Sequence, residues 1–265
     1  MSAPKPDLPP WPYPAWIAHR GAGKLVPENT LAAMRHGASL GYRMFECDVK
    51  LSADGVPFLL HDATLPRTTN ARERIGAGHS AIAGDHPWSV LSQLDAGRWH
   101  SPQWAGEPLP TLEAVARWCL ANALYLNIEI KPTPGTEALT GERVAQAAAG
   151  WWAAQPVKPL LTSFSSDALA AAQGATPDLP RGLLLDHWWA GWLETALVLG
   201  CQAVVANHSL WDASSVLQAH SAGLRCLSYT VNDDWAAQRL VALGTDGIIT
   251  DRVDFFVPRA GGLAA

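Results

Sequence analysis

Short apolar runs alternate with alanine-rich helical stretches along almost the whole chain, and this alternation limits the possible folds most. Strand-like runs are expected at Trp16–His19, Met44–Lys50, Pro57–His61, Leu124–Ile130 and Leu160–Ser163. Others follow at Gly182–Leu185, Ala203–Ala206, Arg225–Thr230 and Gly247–Thr250. Helical stretches are expected at Thr30–Leu40, Leu112–Ala121, Glu142–Ala153, Ser166–Gln173, Gly191–Leu199, Ser214–Ala222 and Asp234–Leu243. Strands alternating with helices of this size predict βα units around a parallel sheet, and nearly all-apolar central strands fit a sheet covered by helices. Nine strand candidates are one too many for an eight-stranded barrel. Asp54-Gly55 in SADG is a hairpin signal, so Pro57–His61 is expected to fold back on Met44–Lys50 as an extra arm. Eight parallel strands then remain, which predicts an α/β (β/α)8 TIM barrel. The open doubly wound alternative lacks a GxGxxG after the first strand.

The segment Arg67–Pro110 breaks the rhythm with Gly, His, Trp and Pro, and reads as a small insertion (about 62–110) at the barrel mouth. It is too short for a second domain, so residues 1–265 are read as a single catalytic barrel domain. A net charge of −5 gives no reason to expect a nucleic-acid partner. Four scattered cysteines, Cys47, Cys119, Cys201 and Cys226, have the pattern of reduced thiols. The proline-rich N-terminus has no signal-peptide h-region, and no apolar run approaches the ~20 residues of a membrane span. A cytoplasmic protein without stable membrane association is expected. The 13 tryptophans are read as core and helix-packing residues, since no basic amphipathic helix accompanies them.

Charged residues gather where the strands should end, at the face where barrel enzymes carry their sites. Glu46 and Asp48 are two apart in FECDVK and therefore share one face of a strand, with Cys47 on the other. Two carboxylates in an apolar strand repel unless a cation joins them, and Glu129 in LNIEIK repeats the pattern. Three oxygen donors from two strands suit one divalent cation, Mg²⁺ or Ca²⁺, better than zinc. His61 follows the hairpin. Pairing Leu51 with Val56 sets it across from Glu46, and a tighter turn sets it across from Asp48. With His19 it supplies two candidate proton carriers. Arg20 and Lys131 are candidate phosphate contacts on the same rim. The remaining histidines have no such company and are read as structural or surface groups. The opening GAGK is not a P-loop, because position 18 is Ala and Leu25 follows Lys24; PENT reads as a helix start with Asn29 as N-cap. No GxSxG elbow is present. The residues together suit metal-assisted phosphoryl transfer with one histidine as base and the other as acid.

Read together, the motifs resemble the glycerophosphodiester phosphodiesterase family. They are HRG (His19–Gly21), PENT (Pro27–Thr30), Glu46-Cys47-Asp48, His61-Asp62 and EIK (Glu129–Lys131). Ser163-Phe164, YTVN (Tyr229–Asn232) and GIITD (Gly247–Asp251) follow in the same order. Details such as WPYP, IEIKPTPGT and LPRGLLLD resemble the short cytosolic bacterial enzyme linked to glycerol-3-phosphate uptake. The resemblance spans about residues 11–254. It implies hydrolysis of small-molecule glycerophosphodiesters such as glycerophosphocholine or glycerophosphoethanolamine to sn-glycerol 3-phosphate and an alcohol. It further implies Glu46, Asp48 and Glu129 as ligands of a divalent ion, His19 and His61 as acid–base pair, and Arg20 and Lys131 on the phosphate. Phe164 and Tyr229 would lie against the glycerol or leaving group; the family often has Trp at the position of Tyr229. Two alternatives stay open at this stage. One is a lysophospholipase D-type enzyme with an acyl groove from the Trp-rich stretch 88–104; the other is a non-catalytic phosphodiester-binding barrel.

Overall fold

The computed structural model describes residues 8–76 and 78–258; residues 1–7 of the proline-rich N-terminal segment lie outside this span. The strands are β1 (Trp16–Ala18), β2 (Met44–Leu51), β3 (Pro57–Leu59), β4 (Tyr125–Ile130), β5 (Leu160–Ser163), β6 (Arg181–Leu185), β7 (Ala203–Asn207), β8 (Arg225–Tyr229) and β9 (Gly247–Thr250). The helices are α1 (Leu31–Ser39), α2 (Ala71–Arg74), α3 (Trp88–Leu91), α4 (Leu112–Ala121), α5 (Glu137–Trp151), α6 (Ser166–Ala175), α7 (Trp192–Val198), α8 (Ala213–Ser221) and α9 (Asp234–Leu243). Eight parallel strands run β1-β9-β8-β7-β6-β5-β4-β2, and the pairing of β1 with β2 closes them into a barrel. The expected (β/α)8 architecture is present. So is the extra arm: β3 pairs antiparallel with the upper half of β2, where the three-residue β1 leaves that edge free.

Strand alternation divides the core. On β2, Phe45, Cys47 and Val49 point outward and pack under the helices, in a cluster with Met34, Val115 and Leu126. Met44 points into the barrel with Ile17, Leu160, Leu184, Val205, Leu227 and Ile249. Towards the mouth the same inward face changes to Glu46, Asp48 and Lys50, all buried. The barrel is therefore apolar at its base and charged at its top.

Three local expectations are corrected. The N-cap of α1 is Thr30, whose hydroxyl accepts from the Ala33 N–H, and not Asn29. Helix α5 begins at Glu137, not Glu142. Gly141 lies inside it because a Cβ there would come within 2.1 Å of the Ala168 carbonyl oxygen on α6, so the glycine permits close helix contact. The hairpin register is the third. Leu51 pairs with Pro57 and Val49 with Leu59, so neither expected alignment of His61 occurs.

The insertion builds a small core of its own. Leu65, Leu91, Leu94 and Leu109 pack on Phe58 and Leu60 of the arm. Trp88 lies on the Phe58 ring at 5.9 Å, and Trp104 packs against the main core. Of the tryptophans in 88–104, Trp99 alone is exposed, so this stretch is spent on packing.

Candidate active site

Parallel pairing sets Asp48 of β2 beside Glu129 of β4, with Glu46 one inward position below. Carboxylate oxygens of Glu46, Asp48 and Glu129 all lie within 4.8 Å of one another, and all three side chains are buried. Such a cluster cannot carry three negative charges unaided. Burial and then Asp48 push the Glu46 carboxyl up to about 8, and burial and Asp48 also raise Glu129. Asp48 shows the opposite balance: burial opposes its charge, but Arg20 and Lys131 hold it below the usual carboxylate range. Glu46 Oε1 is buried with no hydrogen-bond donor among the described residues. A divalent cation would satisfy that oxygen and relieve the repulsion, so the donor set fits a hard metal ion. Asn29 fixes Asp48 from both sides: its amide donates to Oδ2 at 2.8 Å and its carbonyl oxygen accepts from the Asp48 N–H at 3.0 Å. That explains both its φ of 58° and its absence from the helix cap.

Two histidines stand at this cluster, each held at Nδ1 by a carboxylate. His19 Nδ1 lies 2.6 Å from Asp251 Oδ1, and its Nε2 lies 3.8 Å from Glu46 Oε2. Asn232 locks Asp251 in place by donating to Oδ2 at 3.0 Å and accepting its N–H at 2.9 Å. Burial works against a charged His19 ring, but the Asp251 hydrogen bond and Glu46 outweigh it and raise its pKa. His61 Nδ1 lies 2.8 Å from Asp62 Oδ1. Burial lowers its pKa; the cations Arg20 and Lys131 add to this, and the attraction of Asp48 opposes it. Ionised carboxylates only accept, so each neutral ring keeps its proton on Nδ1 and has its lone pair on Nε2. His61 reaches this place although the register pairs its neighbourhood differently. Leu60 is still hydrogen-bonded to the Asp48 carbonyl at 3.1 Å, and the chain then bends out of the strand at His61.

The cations are shared among these acids. Arg20, at φ 51°, donates its N–H to Glu46 at 2.9 Å and its Nη1 to Glu28 at 2.9 Å, with Nε 3.3 Å from Asp48. Lys131 Nζ donates to Glu129 at 2.9 Å and lies 3.3 Å from Asp48. Lys50, buried on β2, donates to the Lys131 carbonyl at 2.9 Å, and burial lowers its pKa to about 8. On the rim, Phe164 and Tyr229 meet edge-to-face at 5.8 Å, and the Tyr229 hydroxyl donates to the Leu185 carbonyl at 3.0 Å. Lys131 Nζ sits 5.9 Å from the Phe164 ring centre. The glycines of HRGAGK serve close approach: a Cβ on Gly23 would come within 2.0 Å of the Asp251 carbonyl oxygen.

A sequence model of the Glycerophosphoryl diester phosphodiesterase family matches residues 19–255, which include every one of these groups. The chain belongs to that family. It is similar to a glycerophosphodiester phosphodiesterase of Caldanaerobacter subterraneus subsp. tengcongensis, 31% identical over 89% of this chain and 93% of the relative. A second glycerophosphodiester phosphodiesterase, from Bacillus subtilis, is 30% identical over 91% of this chain and 84% of the relative. Among solved structures, an Oleispira antarctica phosphodiesterase in complex with the product sn-glycerol-3-phosphate superposes with a TM-score of 0.79. It is 31% identical, and the match covers 90% of this chain and 93% of that one. The chain is accordingly an enzyme of the phosphodiesterase class.

The fold brings together every residue singled out from the sequence: His19, Arg20, Glu46, Asp48, His61, Glu129, Lys131, Phe164 and Tyr229 all face the mouth. Sequence reasoning gave other participants no part in the site: Asp251 and Asn232 behind His19, Asp62 behind His61, Asn29 (read as a helix cap) on Asp48, and Glu28 and Arg67 beyond them. Most of these lie inside the quoted motifs PENT, HD, YTVN and GIITD, which was the available signal. Arg67 lies outside them.

Proposed function

We propose that this enzyme hydrolyses glycerophosphodiesters to sn-glycerol 3-phosphate and an alcohol, with His19 and His61 as its two proton carriers and Mg²⁺ or Ca²⁺ at Glu46, Asp48 and Glu129. The observation that carries this reading is the pairing of two carboxylate-oriented imidazoles with one buried triad of carboxylates. When bound, the cation would supply charge stabilisation to the phosphate oxygens. The residues do the rest. Arg20 and Lys131 contact the phosphate, one imidazole Nε2 takes a proton, and the other protonates the departing alcohol. Phe164 and Tyr229 offer an apolar wall to glycerol or the leaving group.

The glycerol 2-hydroxyl is the nucleophile in this proposal. Its proton passes to the basic histidine as its oxygen bonds to phosphorus, and the ester bond to the alcohol breaks as the acidic histidine protonates that oxygen. Water then opens the cyclic phosphate with the two histidines in exchanged roles. A substrate analogue without the 2-hydroxyl should turn over at least about 100-fold more slowly; equal turnover would exclude internal attack.

The relationship to enzymes named for glycerophosphodiesters favours a short polar substrate, and so does the packing of Trp88 and Trp104 into cores. The deciding assay measures hydrolysis of glycerophosphocholine, glycerophosphoethanolamine and lysophosphatidylcholine after chelation, with each metal added back in turn. Activity restored on the first two substrates is expected. Preference for lysophosphatidylcholine, or full activity in chelator, would reject the reading.

A further inference from the structure

Arg67 is an exposed residue of the insertion, yet its guanidinium is held by two carboxylates at once. Nε and Nη2 donate to Asp62 Oδ2 and Oδ1 at 2.6 and 2.9 Å. Nη1 and Nη2 donate to Glu28 Oε2 and Oε1 at 3.0 and 2.6 Å. Both edges of the planar fork are therefore bidentate, which a lysine ammonium cannot reproduce. The two carboxylates come from different loops, Glu28 after β1 and Asp62 after β3, and each has a second partner deeper in the mouth. Asp62 Oδ1 also receives His61 Nδ1 at 2.8 Å, and Glu28 Oε1 also receives Arg20 Nη1 at 2.9 Å. An unbroken chain of charge-assisted hydrogen bonds thus runs His61–Asp62–Arg67–Glu28–Arg20.

We propose that Arg67 is a positioning residue, which aims His61 through Asp62 and restrains Arg20 through Glu28. The proposal rests on the roles given above to His61 and Arg20. The physical argument is one of geometry over stability. A half-exposed ion pair adds little to folding free energy, whereas a carboxylate gripped at both oxygens has no freedom to rotate. Without Arg67, Asp62 turns towards water and the His61 ring loses its single orientation. Glu28 then has only Arg20 left to bind and draws that guanidinium away from the phosphate. The insertion thereby acquires a part in the chemistry: it carries the clamp that ties the β3 arm to the loop after β1.

The test combines two readouts on the full-length protein. Nitrogen-15 NMR of the His61 ring, without substrate, should show the Nδ1-protonated tautomer in the wild type and a mixture of tautomers in Arg67→Met. An unchanged tautomer in the variant overturns the proposal. This measurement needs no turnover, so it stands even if the wild type fails to hydrolyse glycerophosphodiesters, a result that would reject the proposed function alone. In kinetics, Arg67→Met and Asp62→Asn should each lower kcat about 10- to 100-fold, and adding Arg67→Met to an Asp62→Asn/Glu28→Gln background, where both routes are already cut, should lower kcat no more than about 3-fold further. Arg67→Lys keeps the charge but not the fork, and it should not restore kcat; it also serves if Arg67→Met does not fold. Additive losses, or wild-type kcat in Arg67→Lys, would show that Arg67 supplies charge or stability and not orientation.

Discussion

Glu46 has an ordinary pKa of 4.5 and is pushed up to about 8, first by burial and then by Asp48. Between those values the folded chain holds a proton that the unfolded chain has released. This carboxyl's contribution to stability is therefore full below its unfolded pKa and falls as pH rises through the window. A divalent cation competes with that proton, so its effect should grow with pH. Saturating Mg²⁺ or Ca²⁺ should raise the melting temperature relative to chelator by about 5–10 °C near pH 9 and by much less near pH 5. Glu46→Gln should flatten this dependence. Equal metal-induced shifts at both pH values in the wild type would count against the triad as the metal site. At this scale the sequence was most legible where spacing carries the meaning: Glu46 and Asp48 share a face because strand side chains alternate. It was least legible at Asn29. A local cap and a distant carboxylate compete for the same amide, and Asp48 wins because it is buried and charged.

Elements were placed well because apolar runs and helical stretches differ in period, yet contacts between elements moved their ends. The helix expected from Glu142 begins at Glu137, and Gly141 inside it lets α5 approach α6. The hairpin register could not be read from Asp54-Gly55, since the loop length decides it, and the observed pairing differs from both alignments considered. Arg181 offers a prediction at this scale. It is buried at the base of β6, and its guanidinium donates to backbone carbonyls just beyond α6 and α7: Leu179 at 2.7 Å, Leu199 at 3.0 Å, Pro177 at 3.2 Å, Thr176 at 3.3 Å and Gly200 at 3.4 Å. Thr176 and Leu199 are the C-cap residues of α6 and α7, so the arginine reaches the negative ends of both helices at once. Arg181→Met removes these guanidinium donors and should destabilise the protein by about 2–4 kcal/mol in urea unfolding. Because the mouth lies at the other end of the strand, kcat below the melting range should stay within about 2-fold of wild type. A variant of unchanged stability would contradict this account of the cage.

Closure of the barrel decides which distant residues meet. His19 follows the first strand and Asp251 the last, 232 positions apart, and the β1–β9 pairing joins their backbones through His19 N–H and the Thr250 carbonyl at 3.0 Å. Asp251→Asn keeps the shape but allows an amide N–H to face His19 Nδ1, which favours the wrong tautomer. It should lower kcat by about 10²- to 10⁴-fold with little change in melting temperature. Activity close to wild type would remove Asp251 from the His19 relay. By itself, the sequence determined the kind of molecule and most of its chemistry. Short apolar runs alternating with helical stretches point to a parallel sheet wrapped in helices, and acids, imidazoles and bases at strand ends then gather at one face. The tertiary structure alone decided who holds whom. Asp251 behind His19, Arg67 behind Asp62 and Asn29 on Asp48 depend on loop paths and barrel closure, and hydrogen bonds between remote loops leave no period in the chain.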